Sequence, residues 1–590
     1  MSTISVAPKI EINGQPASAA MLDGLVSVSV DRGVNLVGRA TLRFLEAGFT
    51  LTSLPSFDVG TAVTIKPPSG PALFSGEVTG VSVDQELTSA GPTTELSVTV
   101  DDKAYRLGQA TKNRSFLQQK YSDVITTLAS EAGLTSSRVT ETGEVHPYLL
   151  QAGTSLAYLD WMTARCGMVW YVDGNDLHVV KAGTSSGTVS LTLGTNLVRF
   201  SARASALNPA RVSVTGWDES QQAAVTGEAA TPNEPESTFV SKYPGRSRSA
   251  TGSVAVAALT PHTQAEATDL GESLLAQSAS AAVVARGTCF VDHRIVPCST
   301  VEVANTGATA GGYVVTRVEH VYDSTGFHTH FTAGPIRPSD LVDLLGAPAT
   351  SPGPVMGALV SAQVTNVSDP DTLGRAKVKF TSMGGDVESW WARIVTLGGG
   401  DQRGLVFQPE VGDEVLVGFE QGDTRRPLIL GGLFSSQKTL PTTGVQPFVD
   451  NGAIKYRRIT SRLGHLVELA DGQSPSESHI LIRNKVTGNL IRLGEDRLDV
   501  SMDGKPIKLD NGAGATIELA ANGDVTIEGA NVSIKATSGA VKVDGATDVQ
   551  LKASVNLKAE GAIVGVKAQG SATVEASGPL ALKGALVAIN

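Results

Sequence analysis

Residues 516–589 read TIELAANGDVTIEGANVSIKATSGAVKVDGATDVQLKASVNLKAEGAIVGVKAQGSATVEASGPLALKGALVAI. Apolar residues recur here in i, i+2 pairs: Ile517/Leu519, Val525/Ile527, Val532/Ile534, Val541/Val543, Val549/Leu551, Val555/Leu557, Val564/Val566, Ala572/Val574, Leu580/Leu582 and Val587/Ile589. The first members run from 517 to 587, a mean step of about 7.8 residues. Side chains at i and i+2 of a strand face the same side. Each octad is therefore one short strand with two inward apolar groups, followed by a turn. Glycines such as Gly529, Gly539 and Gly561 fall in or near those turns. One such strand cannot close a core; units of this kind must stack and find partners. No Phe, Trp or Tyr follows Tyr456, and no Arg, His or Cys follows residue 500. An interior of Val, Ile, Leu and Ala is a narrow one. Three chains wound around one axis satisfy these conditions and pair their strand edges with one another. Ten octads at ~4.7 Å per stacked strand give a needle of roughly 45–50 Å. A disordered tail does not fit the regular pairs, and a single-chain solenoid normally needs ~20 residues per coil. The expected core of the needle is Val525, Ile527, Val532, Ile534, Val541, Val543, Val549, Leu551, Val564 and Val566.

Upstream, the composition is that of ordinary packed domains. The chain has 590 residues, 41% hydrophobic, with 63 glycines, 5% aromatics and a net charge of −11. An acidic balance argues against a general nucleic-acid or anionic-membrane binder. Cys166, Cys289 and Cys298 form no disulfide framework, and an odd count suits a reducing compartment. The N-terminus has neither the basic nor the apolar region of a signal peptide. No stretch approaches the ~18 apolar residues of a membrane span. The expected organisation is an α+β region over 1–345 in two subdomains, a linker over 346–354 (GAPATSPGP), a five-stranded OB-type barrel over 355–435, a loosely patterned neck over 436–500, and the needle over 501–590. Helices are expected at Ser122–Ala132, Ser155–Ala164 and Gln264–Val284, the first with Val124, Leu128 and Ala132 on one face and Gly133 as its C-cap.

Two stretches carry a resemblance to a known family. MGALVSAQVTNVSDPDTLGRAKVKF (356–380), SWWARI (389–394) and PEVGDEVLVGFEQGDTRRPLILGGLF (409–434) resemble the OB domain of VgrG and related phage spike proteins. DDKAYRLGQATKNRSFLQQKYSDVITTLASEAGL (101–134) and TSLAYLDWMTARCGMVWYVDGNDLHVV (154–180) resemble the hub, or late-control-D, region of the same proteins. That resemblance implies a mainly β homotrimer: a hub, an OB collar and an intertwined triple-stranded β-helix. It implies a structural spike of a contractile injection system that joins tube and baseplate to the tip and punctures the target envelope. It also implies a PAAR-type tip protein docked at the C-terminal end, on Leu582, Val587 and Ile589. No enzyme activity, cofactor, metal or nucleic-acid partner is expected, and membrane is met only during puncture. Assembly is expected in the cytoplasm without a signal peptide, in a cytoplasmic or released particle. The alternative is a tail protein that binds or hydrolyses cell-wall glycan.

Other motifs read as architecture. GTSSG (183–187) has the G-x-S-x-G pattern around Ser185, but a nucleophile elbow needs a following helix, and TVSLTL follows; a hairpin loop is expected. His328 and His330, with His320 nearby, lack a third metal ligand at compelling spacing. GGGDQRG (398–404) lacks the Lys-Ser/Thr of a phosphate loop. Asp369 and Asp371 flank a turn proline, and Arg425 and Arg426 read as a solvated turn. Of the adjacent Trp390 and Trp391, one faces inward and the other faces a neighbouring protomer or a glycan, the neighbour being preferred.

Overall fold

A computed structural model of the chain describes residues 7–46, 57–89, 91–204, 209–230, 253–256, 261–336, 359–384, 387–441, 449–450, 452–472 and 477–589. The expected linker lies outside the described residues. The chain divides into two compact units, 1–440 and 441–590.

The first unit is built on a mixed sheet of 13 strands, counted over the described residues. Its centre is the antiparallel run Gly311–Asp323, Leu25–Gly33, Arg39–Glu46, Gly91–Asp101 and Phe74–Thr88. Period-two alternation explains the run. Val28, Val30, Ala40, Leu42, Phe44, Val98 and Val100 point into one core and are fully or nearly fully buried. A second core gathers the helices Tyr121–Glu131 and Ser155–Arg165 against the hairpin Met168–Asp173/Asp176–Lys181. Asp123 accepts a hydrogen bond from the Lys120 amide, and Thr154 Oγ1 accepts one from the Ala157 amide, so both helices are capped by their own sequence. Gly133 takes φ +74°, the left-handed stop expected of it.

A third helix runs Gln264–Ser280 and lies on the three-stranded sheet Ala223–Ala230, Arg211–Asp218 and Ser253–Val256. It ends sooner than the sequence suggests. Val283 and Val284 begin the strand Val283–Phe290, where β-branched residues are better placed than in a last helical turn. The helix sits very close to its sheet at Gly227, where an added Cβ would fall 2.1 Å from the Ala267 carbonyl group. Gly227→Ala is expected to push the helix off the sheet and lower stability by about 1–3 kcal/mol, measurable as a lowered thermal midpoint.

The barrel sheet has strands Val360–Asn366, Lys377–Lys379, Arg393–Ile394, Glu414–Phe419 and Pro427–Gly432. The stretch 389–396 supplies only the two-residue strand Arg393–Ile394, shorter than its sequence suggests. Its core is continuous with the preceding region. Tyr148 and Leu150 pack among Val360, Val378, Phe380, Val415 and Ile429, and the Tyr148 hydroxyl donates to the Glu388 carbonyl at 2.8 Å.

The second unit begins with a five-stranded antiparallel meander, Tyr456–Thr460, Leu466–Ala470, His479–Arg483, Leu490–Gly494 and Leu498–Ser501. A three-stranded meander follows, Ile507–Asp510, Thr516–Leu519 and Val525–Glu528. Residues 529–589 contain no strand paired within the chain. Among the described residues, no helix is long and apolar enough to cross a membrane.

Candidate subunit interface and the buried ion cluster

The neck sheet alternates sharply, and its two faces differ. Register aligns Ile459, Val467, Ile482, Ile491 and Val500 in one row, and Leu469, Ile480, Leu493 and Leu498 in the next. Both rows lie on one face, and all nine side chains are 40–61% exposed. The opposite face carries Leu466, Ala470 and Leu481, all buried, and a charged group in which buried Glu468 accepts from Arg458 and lies 3.0 Å from His479 Nε2. The chain covers one face of its own sheet and leaves the other apolar and bare. A contiguous bare apolar face of this kind marks an interface. Covering the exposed half of each side chain is worth roughly 1 kcal/mol.

The apolar rows continue in the next meander, where Leu509, Ile517 and Ile527 align, as do Ile507, Leu519 and Val525. Further on, Val532, Ile534, Val541, Val543, Val549, Leu551, Val564 and Val566 are 48–87% exposed, and Leu582, Val587 and Ile589 are 50–86% exposed. The proposed core residues thus have no core within one chain.

The first unit holds a different kind of site. Glu266 is the third residue of the helix Gln264–Ser280. Thr263 Oγ1 accepts from the Glu266 amide (3.1 Å), and Glu266 Oε2 accepts from the His262 amide (2.8 Å), a capping box shifted by one residue. Glu266 Oε1 is left to accept from Arg165 Nη2 (2.5 Å) and Arg425 Nη1 (2.8 Å). Arg425 also donates to Asp423, with Nη2 at 2.8 Å, and His262 Nε2 lies 3.4 Å from Asp423. Arg425 and Arg426 are therefore buried, not a solvated turn. The cluster joins two helices to a barrel loop, over sequence separations up to 161 residues. Burial raises the cost of charge on Glu266, but Arg425 and Arg165 outweigh it and hold the carboxyl well below its usual range. Asp423 is driven down in the same way, chiefly by Arg425. Burial, and then the charge of Arg425, lower His146 to about 4.

These shifts fix a pH dependence. Glu266 and Asp423 are depressed below ordinary values of 4.5 and 3.8, so their stabilisation is present above that range and is lost below it. Unfolded His146 takes up a proton near 6.5 and the folded one only near 4, so stability falls as pH drops between them. Glu144, raised by burial and by Glu266, acts in the opposite sense, as does Asp102, which burial pushes up to about 7, while His320, which burial lowers to about 3, adds to the fall and with His146 outweighs them. The expected outcome is a thermal midpoint for this unit that falls steadily from pH 7 to pH 4 and steeply below. A midpoint that rises on acidification would contradict the assignment.

The remaining motifs resolve simply. Ser185 Oγ donates to the Gly187 carbonyl and accepts from Thr300 Oγ1. Its loop joins strands that pair elsewhere, so it is a crossing between sheets and not a hairpin. His320 is buried on Thr329, while His328 and His330 lie on the other side of their strand. Among the described residues, no group of three or more metal-ligating side chains converges. Asp369 organises its turn by accepting from Arg375 and from three backbone amides. Trp390 stacks on Tyr148, with centroids 6.3 Å apart. Cys166, Cys289 and Cys298 are free thiols.

Comparison with known proteins places these features. The model of the Alg8 N-terminal domain matches residues 2–323, and that of the type VI secretion system/phage-baseplate injector OB domain matches residues 360–434. The type VI secretion system spike protein VgrG5 of Pseudomonas aeruginosa is 35% identical over 128 residues, covering 20% of this chain and 15% of that protein. The actin cross-linking toxin VgrG1 of Vibrio cholerae is 29% identical over 137 residues, covering 22% of this chain and 12% of that protein. The chain therefore spans less than a sixth of the length of these two curated relatives. A solved Francisella PdpA–VgrG complex, half-lidded, shares the fold at a TM-score of 0.51 and 7% identity, over 84% of this chain and 87% of that one.

Proposed function

The chain belongs to the family of the Alg8 N-terminal domain and is VgrG-like, and from that premise we propose that three copies form the central spike of a contractile injection system. The observation that carries this reading is the bare apolar face of the neck, continued by the unpaired octads. In the trimer, residues 1–345 act as a hub seated on inner tube and baseplate, 355–435 as a collar, and 501–590 as an intertwined needle with the octad pairs inside. Leu582, Val587 and Ile589 then form the end on which a PAAR-type tip protein docks. The role is mechanical. Interchain strand hydrogen bonds and the octad core give stiffness, so axial force is transmitted to the tip and the needle breaches the target envelope. The chain assembles in the cytoplasm of the producing cell and meets membrane only at the target.

The needle is tested by Val541→Asp. Three carboxylates would meet near a dry axis with nothing to pair them. The expected result is a trimer of lower thermal midpoint with a protease-sensitive needle. An unchanged trimer with an unchanged midpoint would contradict the octad core.

A further inference from the structure

Between the first region and the barrel lies a cleft of about 300 Å³. Trp390, Trp391 and Tyr148 supply its aromatic walls. Lys377 Nζ lies 5.5 Å from the Trp390 ring and 5.4 Å from the Trp391 ring, so the barrel supplies its own cation to both. The polar lining is mixed. Arg393 pairs with Glu219 at 3.0 Å and Glu420 at 2.8 Å, and both Arg393 and Glu219 are 41% exposed. Arg426 is buried. Its Nη2 donates to the Trp217 carbonyl at 2.7 Å, and its Nε is shielded from solvent and lies 3.6 Å from Glu420 Oε2. Glu144 is half-buried, accepts only a 3.3 Å hydrogen bond from Thr263, and has no ion-pair partner among the described residues.

This lining selects a ligand chemistry. An anion would meet Glu144 and Glu219, and a cation would meet Arg393 and Arg426. A purely apolar guest would desolvate the Glu144 carboxylate and leave it only the 3.3 Å hydrogen bond from Thr263. A neutral polyol meets every condition. Each hydroxyl can donate to Glu144 while accepting from water, and the apolar C–H face of a sugar ring lies against indole. The volume is at the lower end of the ~300–1,000 Å³ range of ligand pockets, a mono- or disaccharide.

We propose that this cleft binds a neutral saccharide unit of a glycan, stacked on Trp391 and hydrogen-bonded to Glu144. The site is intact in one chain, so it stands or falls separately from the spike reading. The test applies purified full-length protein to an array of neutral glycans, followed by tryptophan-fluorescence titration with the retained sugars and with chitobiose, cellobiose and maltose. Saturable binding is expected, at least tenfold weaker in Trp391→Ala and in Glu144→Gln and unchanged in Trp217→Phe. Glu144→Gln keeps the size of the side chain and so separates ligand contact from folding. Retention of no neutral glycan, or binding that survives both substitutions, would overturn the proposal. So would protection of Trp391 from hydroxyl-radical footprinting by a neighbouring copy. Light scattering on the same sample reports assembly independently of either result.

Discussion

Arg425→Ala is expected to destabilise the 1–440 unit by about 3–5 kcal/mol, the range for removing one partner of a buried ion pair. Arg425 stands between Glu266 and Asp423, and all three side chains are at most 7% exposed. Without it, two carboxylates remain in a dry joint beside Arg165 and His262. Surface pairs elsewhere in the chain, such as Lys558–Glu560 with both members more than three-quarters exposed, are worth 0–1 kcal/mol. The difference lies in burial, not in distance, since that pair is as close at 2.9 Å. Arg425→Lys keeps the charge but loses the fork that reaches both carboxylates, and should recover only part of the stability. Urea denaturation checks both variants. A midpoint for Arg425→Ala indistinguishable from the parent chain would show that the cluster does not hold the barrel to the helices.

Ile482→Asp is expected to convert the assembled protein into monomers. Ile482 lies on the central strand of the neck sheet, flanked in register by Val467 and Ile491, and is 52% exposed in the chain. A carboxylate there is tolerated in the single chain, where water reaches it. Buried between chains in the proposed trimer it would have no partner, and three copies would repeat the cost. The far-ultraviolet spectrum should therefore persist while the mass falls to one chain. Thr487→Asp, in the exposed loop beyond that strand, is the matched control that should leave the mass unchanged. A trimer retained by Ile482→Asp would assign the bare face another role.

The contrast between these two sites shows what a sequence displays. The barrel and helices were legible because their signals are local: alternation in Glu414–Phe419, a helical face at Val124, Leu128 and Ala132, and a stop at Gly133. The octad pattern is equally local, since pairs such as Val541/Val543 repeat within a few residues, and its strands have no partner within the chain beyond residue 528. The neck reads as loosely patterned, although Ile480/Ile482, Ile491/Leu493 and Leu498/Val500 are the same i, i+2 pairs in adjacent strands. Arginine, histidine and glutamate between them masked the alternation, and only the register shows that these polar residues share the covered face. Arg425 and Arg426 were misread for a deeper reason. A glycine- and aspartate-rich turn normally faces water, and nothing near residue 425 announces a helix N-terminus at Glu266. Which charges are buried is set by tertiary packing, and a one-dimensional pattern does not encode it.

The most direct measurement is the mass of the full-length protein in solution by light scattering. A chain of 61.0 kDa gives a trimer of about 183 kDa. That mass, stable on dilution, is the expected result, since the proposed trimer covers the neck face and the octads with other copies. A well-folded monomer of 61.0 kDa would leave both apolar surfaces in water and would contradict the intertwined spike.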